Sequence, residues 1–308
     1  MNPYKAILVG NGTMGKRHRS RFEACGVQFA AVADNGAEFK DVASKLIVDP
    51  AGGMLADFAV IASPATTHYA YAKFFLERRI PVFVEKPLAT TAEEAQELVD
   101  LAAENDTLLF VAQSECYNPL FLNFRKHFVA ELNGRCNGGG DCGGVRLEFR
   151  REHRRSERCR DVNVALDLLV HDLSLFFTMF RAQDAKVEWF KVGQKTAGNP
   201  EEFDSALLRL RLESGEFRGV VADFYVNRNS GCDVRTISVG FKRTESSPES
   251  DYTVSLARYA RDGEIEHVPD SLDNEHRFFL KLLAGACRDL GLRAAQNAAD
   301  CVKIAASR

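Results

Sequence analysis

One carboxylate and one imidazole in this chain are hard to explain as surface residues. From Asp161 to Phe180 the sequence runs DVNVALDLLVHDLSLFFTMF. Asn163, Asp167, His171, Ser174 and Thr178 recur at spacings of four, four, three and four, which predicts a single polar line on an otherwise apolar helix, with Asp167 and His171 one turn apart. A helix apolar over most of its circumference is a buried one. A carboxylate and an imidazole on it need partners or a task. His171 has the chemistry of a general base near neutral pH, and Asp167 could orient its ring and favour the protonated form. An ordinary ion pair or a core histidine would produce the same spacing, so this helix alone does not decide.

A second group of residues lies near the N-terminus. Gly10-Asn11-Gly12-Thr13-Met14-Gly15 follows the apolar run Ala6–Val9 and opens a helical pattern. Glycines there permit a tight turn and let the backbone approach a pyrophosphate seated on the helix N-terminus. Asp34 ends the next apolar run, nineteen residues beyond Gly15, where a carboxylate would bind the ribose hydroxyls of NAD and repel the 2′-phosphate of NADP. The expected cofactor is therefore NAD, with NADP still open and Lys40 the nearest cation after Asp34. Asp34 as a turn residue before Asn35-Gly36 is the plainer alternative. Ser63-Pro64-Ala65-Thr66-Thr67-His68 and Glu85-Lys86-Pro87 each follow a further apolar run. Ligands of parallel sheets bind beyond the carboxyl ends of the strands, so Ser63, Pro64, His68, Glu85, Lys86 and Pro87 should border the cofactor. Lys86 could hold a substrate oxygen and stabilise an alkoxide.

These residues require a scaffold, and the pattern supplies one. Ala6–Val9, Val27–Ala33, Phe58–Ala62, Pro81–Val84 and Thr107–Ala112 read as strands apolar on both faces, with helical segments Met14–Cys25, Thr66–Arg78 and Thr91–Glu104 between several of them. That predicts an α/β, doubly wound parallel sheet, a Rossmann domain over residues 1–117. Residues 118–308 read as an α+β domain with an open, largely antiparallel sheet for substrate binding and oligomerisation, its last helices returning toward the Rossmann domain. Leu208, Leu210 and Leu212 alternate with Arg209, Arg211 and Glu213, which gives a strand one buried face, and Ser214-Gly215 reads as the hairpin turn after it.

GNGTMG, Asp34, SPATTH, EKP and LDLLVHD occur in the order typical of the glucose–fructose oxidoreductase/inositol dehydrogenase/MocA (Gfo/Idh/MocA) family, and the chain resembles that family over essentially its whole length. The resemblance implies NAD(P)-linked hydride transfer at a secondary alcohol of a sugar, cyclitol or sugar nucleotide. It makes Lys86 the motif lysine, Asp167 the carboxylate and His171 the proton-transfer residue, and implies a homodimer or homotetramer through the C-terminal sheet. Ser114 to Pro119 and Asp161 to Asp167 are similar to the branch that oxidises UDP-N-acetylglucosamine at C3. Two other readings share the fold: a glycosidase using tightly held NAD for transient oxidation, and a non-catalytic dinucleotide-binding regulator. Loss of the lysine or histidine would favour the regulator, and both are present.

Substrate contacts are expected from Asn118, Asn163, Arg154 and Arg155. The last two belong to the run Arg150 to Arg160, where six arginines face two glutamates and could bind a diphosphate. A solvated loop with local salt bridges is the alternative. The net charge of −3 gives no general pull toward nucleic acid or anionic membranes, and no apolar stretch reaches membrane-spanning length. The eight cysteines form no CxxC pair and are expected as free thiols of a cytoplasmic protein. Cys136, Cys142, Cys159 and His153 fit no standard zinc spacing, so no metal is expected.

Overall fold

The computed structural model describes residues 3–34, 56–136, 142–154, 161–193, 195–196, 199–241, 251–259, 265–266, 271–286 and 288–307. Lys40, Arg155, Cys159 and the glycine run 138–140 lie outside them. The chain forms two compact units, residues 1–114 with 272–308, and residues 115–271.

In the first unit, strands β1 (Lys5–Val9), β2 (Gln28–Ala33), β3 (Phe58–Ile61), β4 (Val82–Glu85) and β5 (Leu109–Ala112) form a parallel sheet in the order β2-β1-β3-β4-β5. β3 and β5 are buried at every position, as strands covered on both faces must be. Helices α1 (Thr13–Ala24), α2 (His68–Leu76) and α3 (Ala92–Glu104) join them. Thr91 caps α3 by accepting from the Glu94 N–H at 3.2 Å, and Glu93 and Glu94 complement its positive end.

The C-terminal helices α6 (Ser271–Leu283) and α7 (Arg288–Ala305) belong to this unit. The cause is aromatic packing. Phe279 of α6 lies 5.0 Å from Phe58, 5.3 Å from Phe83 and 5.5 Å from Phe110, ring centre to ring centre. Those rings are buried, and fully burying each one is worth roughly 1.5–3 kcal/mol, to which Phe279 contributes a share.

In the second unit, β6 (Val145–Arg154), β7 (Ala185–Val192), β8 (Ser205–Leu212), β9 (Val221–Ser230), β10 (Val234–Phe241) and β11 (Tyr252–Ser255) form one sheet in the order β11-β10-β6-β9-β8-β7. Every neighbouring pair is antiparallel except β6 with β9. Phe149 pairs with Phe224 across those two strands and the rings stack at 4.8 Å. Helix α4 (Pro119–Arg135) precedes the sheet. Leu208, Leu210 and Leu212 point inward as their alternation requires. Ser214-Gly215 does not make a two-residue hairpin: β8 ends at Leu212 and β9 begins at Val221, and the intervening loop closes through Gly219 N–H to Leu212 O at 2.8 Å.

Cys136 and Cys142 are joined by a disulfide, so the expectation of free thiols fails for this pair. The end of α4 and the start of β6 bring their Cα atoms to 5.4 Å, inside the range a disulfide spans. Cys25, Cys116, Cys232 and Cys301 are not disulfide-bonded. Among the described residues no cluster of side chains has the makings of a metal site, and no helix is long and apolar enough to cross a membrane.

Candidate functional site

Each unit contributes a set of residues. In the first unit the loop after β1 is built around its glycines. Gly10 has φ +89°, and a Cβ there would lie 2.5 Å from Ser63 N, so the ends of β1 and β3 can approach only without a side chain. A Cβ on Gly15 would lie 1.9 Å from Gly10 O, which is how closely α1 sits on the loop. Gly12 is different: a Cβ there would meet nothing within 4 Å. It also occupies the N-cap of α1 with no side chain bonded to the helix. The first N–H groups of α1 are thus offered to an anion rather than to a capping residue, with Thr13 and Met14 in the first turn. The Asn11 N–H donates to Asp34 Oδ1 at 3.2 Å, which ties the loop to the end of β2. Asn11 Oδ1 is buried with no hydrogen-bond partner among the described residues. An open cradle over a helix N-terminus, an acid one strand away and an unspent buried acceptor fit a dinucleotide.

The two motifs at the ends of β3 and β4 are joined by one buried ring. His68 Nδ1 faces Pro87 O at 2.7 Å and Nε2 faces Ser63 O at 2.9 Å. Carbonyl oxygens only accept, so both ring nitrogens must donate and His68 is an imidazolium in this arrangement. Pro64 opens the short turn Ala65–Thr67, closed by Thr67 N–H to Pro64 O at 2.9 Å. Lys86 follows β4 directly and is half-buried. Glu85 stays below the ordinary carboxylate range. Burial opposes that, but the hydrogen bond from His18 and the positive charges of His18, Lys86 and His68 outweigh it.

In the second unit the helix predicted over 161–180 is not one α-helix. Ala165–Leu169 is a π turn, in which Val170 N–H bonds back to Ala165 O, and α5 runs over Val170–Met179. Asp167 is buried within the π turn, and His171 is half-buried in the first turn of α5. π turns recur at functional sites. Ser174 Oγ donates to His171 O at 2.6 Å and Thr178 Oγ1 to Leu175 O at 2.7 Å, so these two hydroxyls bond back to their own helix.

The second unit also has acids and bases that periodicity did not reveal. Asp172 is buried and does not share the polar line. Arg151 donates to Asp172 Oδ1 from Nη2 at 2.8 Å and Nε at 3.0 Å, and to Glu115 Oε1 from Nη1 at 3.3 Å. Arg235 donates to the same Glu115 oxygen at 2.6 Å. Burial would lower the Arg151 guanidinium, but the charges of Asp172 and Glu115 raise it, while burial pushes Asp172 up against the pull of Arg151. His153, on β6, is pushed down to about 4, chiefly by burial and then by the charges of Arg235 and Arg151, with Asp233 and Asp167 opposing. It is a neutral imidazole within the electrostatic reach of Asp167.

The expected substrate contacts largely serve the fold. Asn118 caps α4, accepting from Leu120 N–H at 2.9 Å, and donates to Glu115 Oε2 and Leu256 O, which uses both amide hydrogens. Asn163 Oδ1 accepts from Leu166 N–H at 2.9 Å and starts the π turn. Arg151 is inside the core and out of reach of a phosphate, while Arg150 is half-exposed and paired with Glu152. Arg154 is half-exposed beside Asp233, 3.8 Å away.

Comparison with known proteins places this arrangement. Residues 4–113 match the GFO_IDH_MocA oxidoreductase family, described by its NAD-binding Rossmann fold. Residues 4–113 carry that family's NAD-binding Rossmann fold, which the glycine loop and Asp34 fit. The chain is 26% identical over 222 residues to the UDP-N-acetylglucosamine 3-dehydrogenase of Acidithiobacillus ferrooxidans, covering 70% of this chain and 65% of that one. It is 28% identical over 239 residues to the inositol 2-dehydrogenase of Acidothermus cellulolyticus, covering 73% and 66%. The matches thus span just under two thirds of these curated relatives' length. The fold extends further. A crystal structure of an inositol dehydrogenase homologue from Azotobacter vinelandii, complexed with NADH and myo-inositol, superposes with TM-score 0.73 at 17% identity over 99% of this chain and 94% of that one. The Acidithiobacillus enzyme superposes with TM-score 0.70 at 23% identity over 99% and 98%.

The open cradle at Gly12 separates binding from folding. Its φ of −70° suits any residue, so Gly12→Val should leave the melting temperature within about 1 °C, as surface changes do. The same side chain would occupy the pyrophosphate position and weaken NAD binding by roughly tenfold or more. Calorimetric titration with NAD beside a thermal melt checks both, and unchanged affinity would remove the pyrophosphate from this loop.

Proposed function

We propose that the chain is an NAD-dependent oxidoreductase acting on a secondary alcohol of a sugar, cyclitol or sugar nucleotide. The observation that carries the reading is the placement of Lys86 directly after β4, on the strand-end edge of the parallel sheet that also bears the glycine loop, Asp34 and Ser63. Gly10, Asn11, Gly12, Thr13, Met14 and Gly15 hold the pyrophosphate and Asp34 the adenosine ribose. Ser63, Pro64, His68, Glu85 and Pro87 shape the adjoining wall. The cofactor, when bound, supplies the hydride acceptor or donor. Lys86 holds the substrate oxygen and stabilises its negative charge. His171 takes the hydroxyl proton, and Asp167 keeps the imidazole oriented. Similarity to dehydrogenases of UDP-N-acetylglucosamine and of inositol supports these two substrate classes. Arg154 and Arg155 are the residues assigned to a phosphate of the substrate.

A homodimer or homotetramer through the second sheet completes the reading. The face that carries Glu148, Arg150, Trp189, Leu207, Arg209 and Tyr225 encloses a shallow depression, and Leu207 is 37% exposed. Such a mixture of aromatic and arginine side chains suits an interface between copies.

A panel of cyclitols, free sugars and UDP-sugars, each with NAD and NADP, tests the activity through the absorbance of the reduced nicotinamide. Turnover with at least one alcohol and a preference for NAD are expected. Glycoside cleavage without accumulating NADH would replace this reading with the hydrolase one. Sedimentation of the same preparation as a monomer would refute the assembly.

A further inference from the structure

The first unit contains a buried set of ionisable groups that the mechanism above does not use. His18 of α1 and His276 of α6 are both fully buried, and Glu275 beside them is fully buried too. His276 Nδ1 lies 2.6 Å from Leu272 O, four residues earlier on the same helix. A carbonyl only accepts, so the His276 proton is on Nδ1. Burial, then the charge of His18, push this imidazole down to about 3, so it is neutral and its Nε2 is bare. His18 Nδ1 lies 3.0 Å from that nitrogen and must be the donor. With Nδ1 protonated, His18 reaches Glu85 Oε1 with Nε2 at 2.7 Å, and one proton lies between them. The other Glu85 oxygen, Oε2, accepts from the Lys86 backbone N–H at 3.0 Å. Each proton follows from the one before it, starting at a backbone carbonyl of α6 and ending at the motif lysine.

We infer that His276 and His18 are positioning residues for Lys86: a buried hydrogen-bonded chain from α6 through both imidazoles fixes the Glu85 carboxylate, and Glu85 fixes the lysine's backbone. The aromatic walls keep the chain dry, with Phe83 centred 5.0 Å from His18 and Phe22 4.3 Å from His276. Glu275 adds no further charge to the set. Burial, and then the charge of Glu85, hold its carboxyl well above the ordinary range, so it stands as a neutral acid. A helix close to the end of the sequence thereby sets the geometry of a turn some 190 residues earlier (His276 less Lys86). The proposal rests on the dehydrogenase reading only for what Lys86 does once placed.

Hydrogen exchange at the Lys86 amide, followed by NMR without cofactor, reads the end of the chain directly. Glu85→Ala removes the acceptor and should speed exchange about tenfold, the worth of one hydrogen bond. His276→Leu should do nearly the same from the far end. His276→Gln, which restores an acceptor for His18, should return exchange to within about twofold of the unmodified protein. If His276→Leu does not fold, the nitrogen resonances of the unmodified protein give the answer: His276 neutral with its proton on Nδ1, and His18 protonated on Nδ1. A bare Nδ1 on His18, or exchange in His276→Leu at the unmodified rate, overturns the chain. With a substrate in hand, His276→Leu should lower kcat about tenfold or more while KM stays within about threefold, and His276→Gln should recover it. Lys86→Ala with undiminished turnover would refute the dehydrogenase role instead, leaving the exchange result standing.

Discussion

Replacing His171 by alanine should lower kcat by about two to four orders of magnitude and leave the affinity for NAD within about twofold. The two effects separate because the residues stand in different units. The glycine loop, Asp34 and the turn at Lys86 belong to the unit that matches the NAD-binding family, and His171 belongs to the other. A proton acceptor that acts only as the hydroxyl is oxidised contributes to the transition state and little to cofactor binding. Asp167→Asn should produce a smaller loss, because it preserves the shape and removes the charge that orients the imidazole. Lys86→Met should cost about a hundredfold or more in kcat, the scale of removing one preorganised partner of a developing oxyanion. Steady-state rates with any alcohol that turns over, beside calorimetric titration of NAD, check the set. A His171→Ala protein with rates near the original would place this chain with the regulators.

Much of this was legible in the sequence because it depends on local pattern. Apolar runs identified the five parallel strands, most plainly β3 and β5, which are covered on both faces and have no polar side to show. Gly10 and Gly15 were identifiable because backbone crowding there excludes any side chain. What the pattern missed is what tertiary partners decide. A π turn alters which carbonyl each N–H meets and leaves no mark on residue type, so the helix of Asp167 and His171 read as regular. Asp172 passed unremarked beside His171, because its partner Arg151 is on another element. Arg151 itself was grouped with the surface arginines although the alternation of β6 already placed it in line with the inward residues Val145, Leu147 and Phe149. An inward arginine in a strand is a sequence signal for a buried ion pair, and it was available. The return of the last helices toward the Rossmann domain was expected, but nothing in the sequence marked Phe58, Phe83 and Phe110 as the rings that Phe278 and Phe279 would meet.

That inward arginine leads to the largest expected effect on stability. Arg151→Met should cost the second unit about 3–5 kcal/mol, because Asp172 would remain a buried acid with its cation gone. Glu115 would suffer less, since Arg235 still holds it at 2.6 Å. The favourable attraction within the network is not what makes the loss large. Arg151 and Asp172 both lost water on folding, and methionine restores none of it to the partner. The double substitution Arg151→Met with Asp172→Leu should therefore recover most of the stability, since an apolar pair of similar volume needs no compensation. Thermal melts of the single and double variants decide the matter, with a fall of roughly 10 °C expected for the single change. The recovered variant should nonetheless remain slower in turnover. Asp172 adjoins His171 in the first turn of α5, and Arg151 is the tether that holds that turn to β6. An apolar contact fills the space without fixing the helix's rotation, so the imidazole loses its aim while the fold survives. Full stability with full activity in the double variant would reduce the network to a packing element.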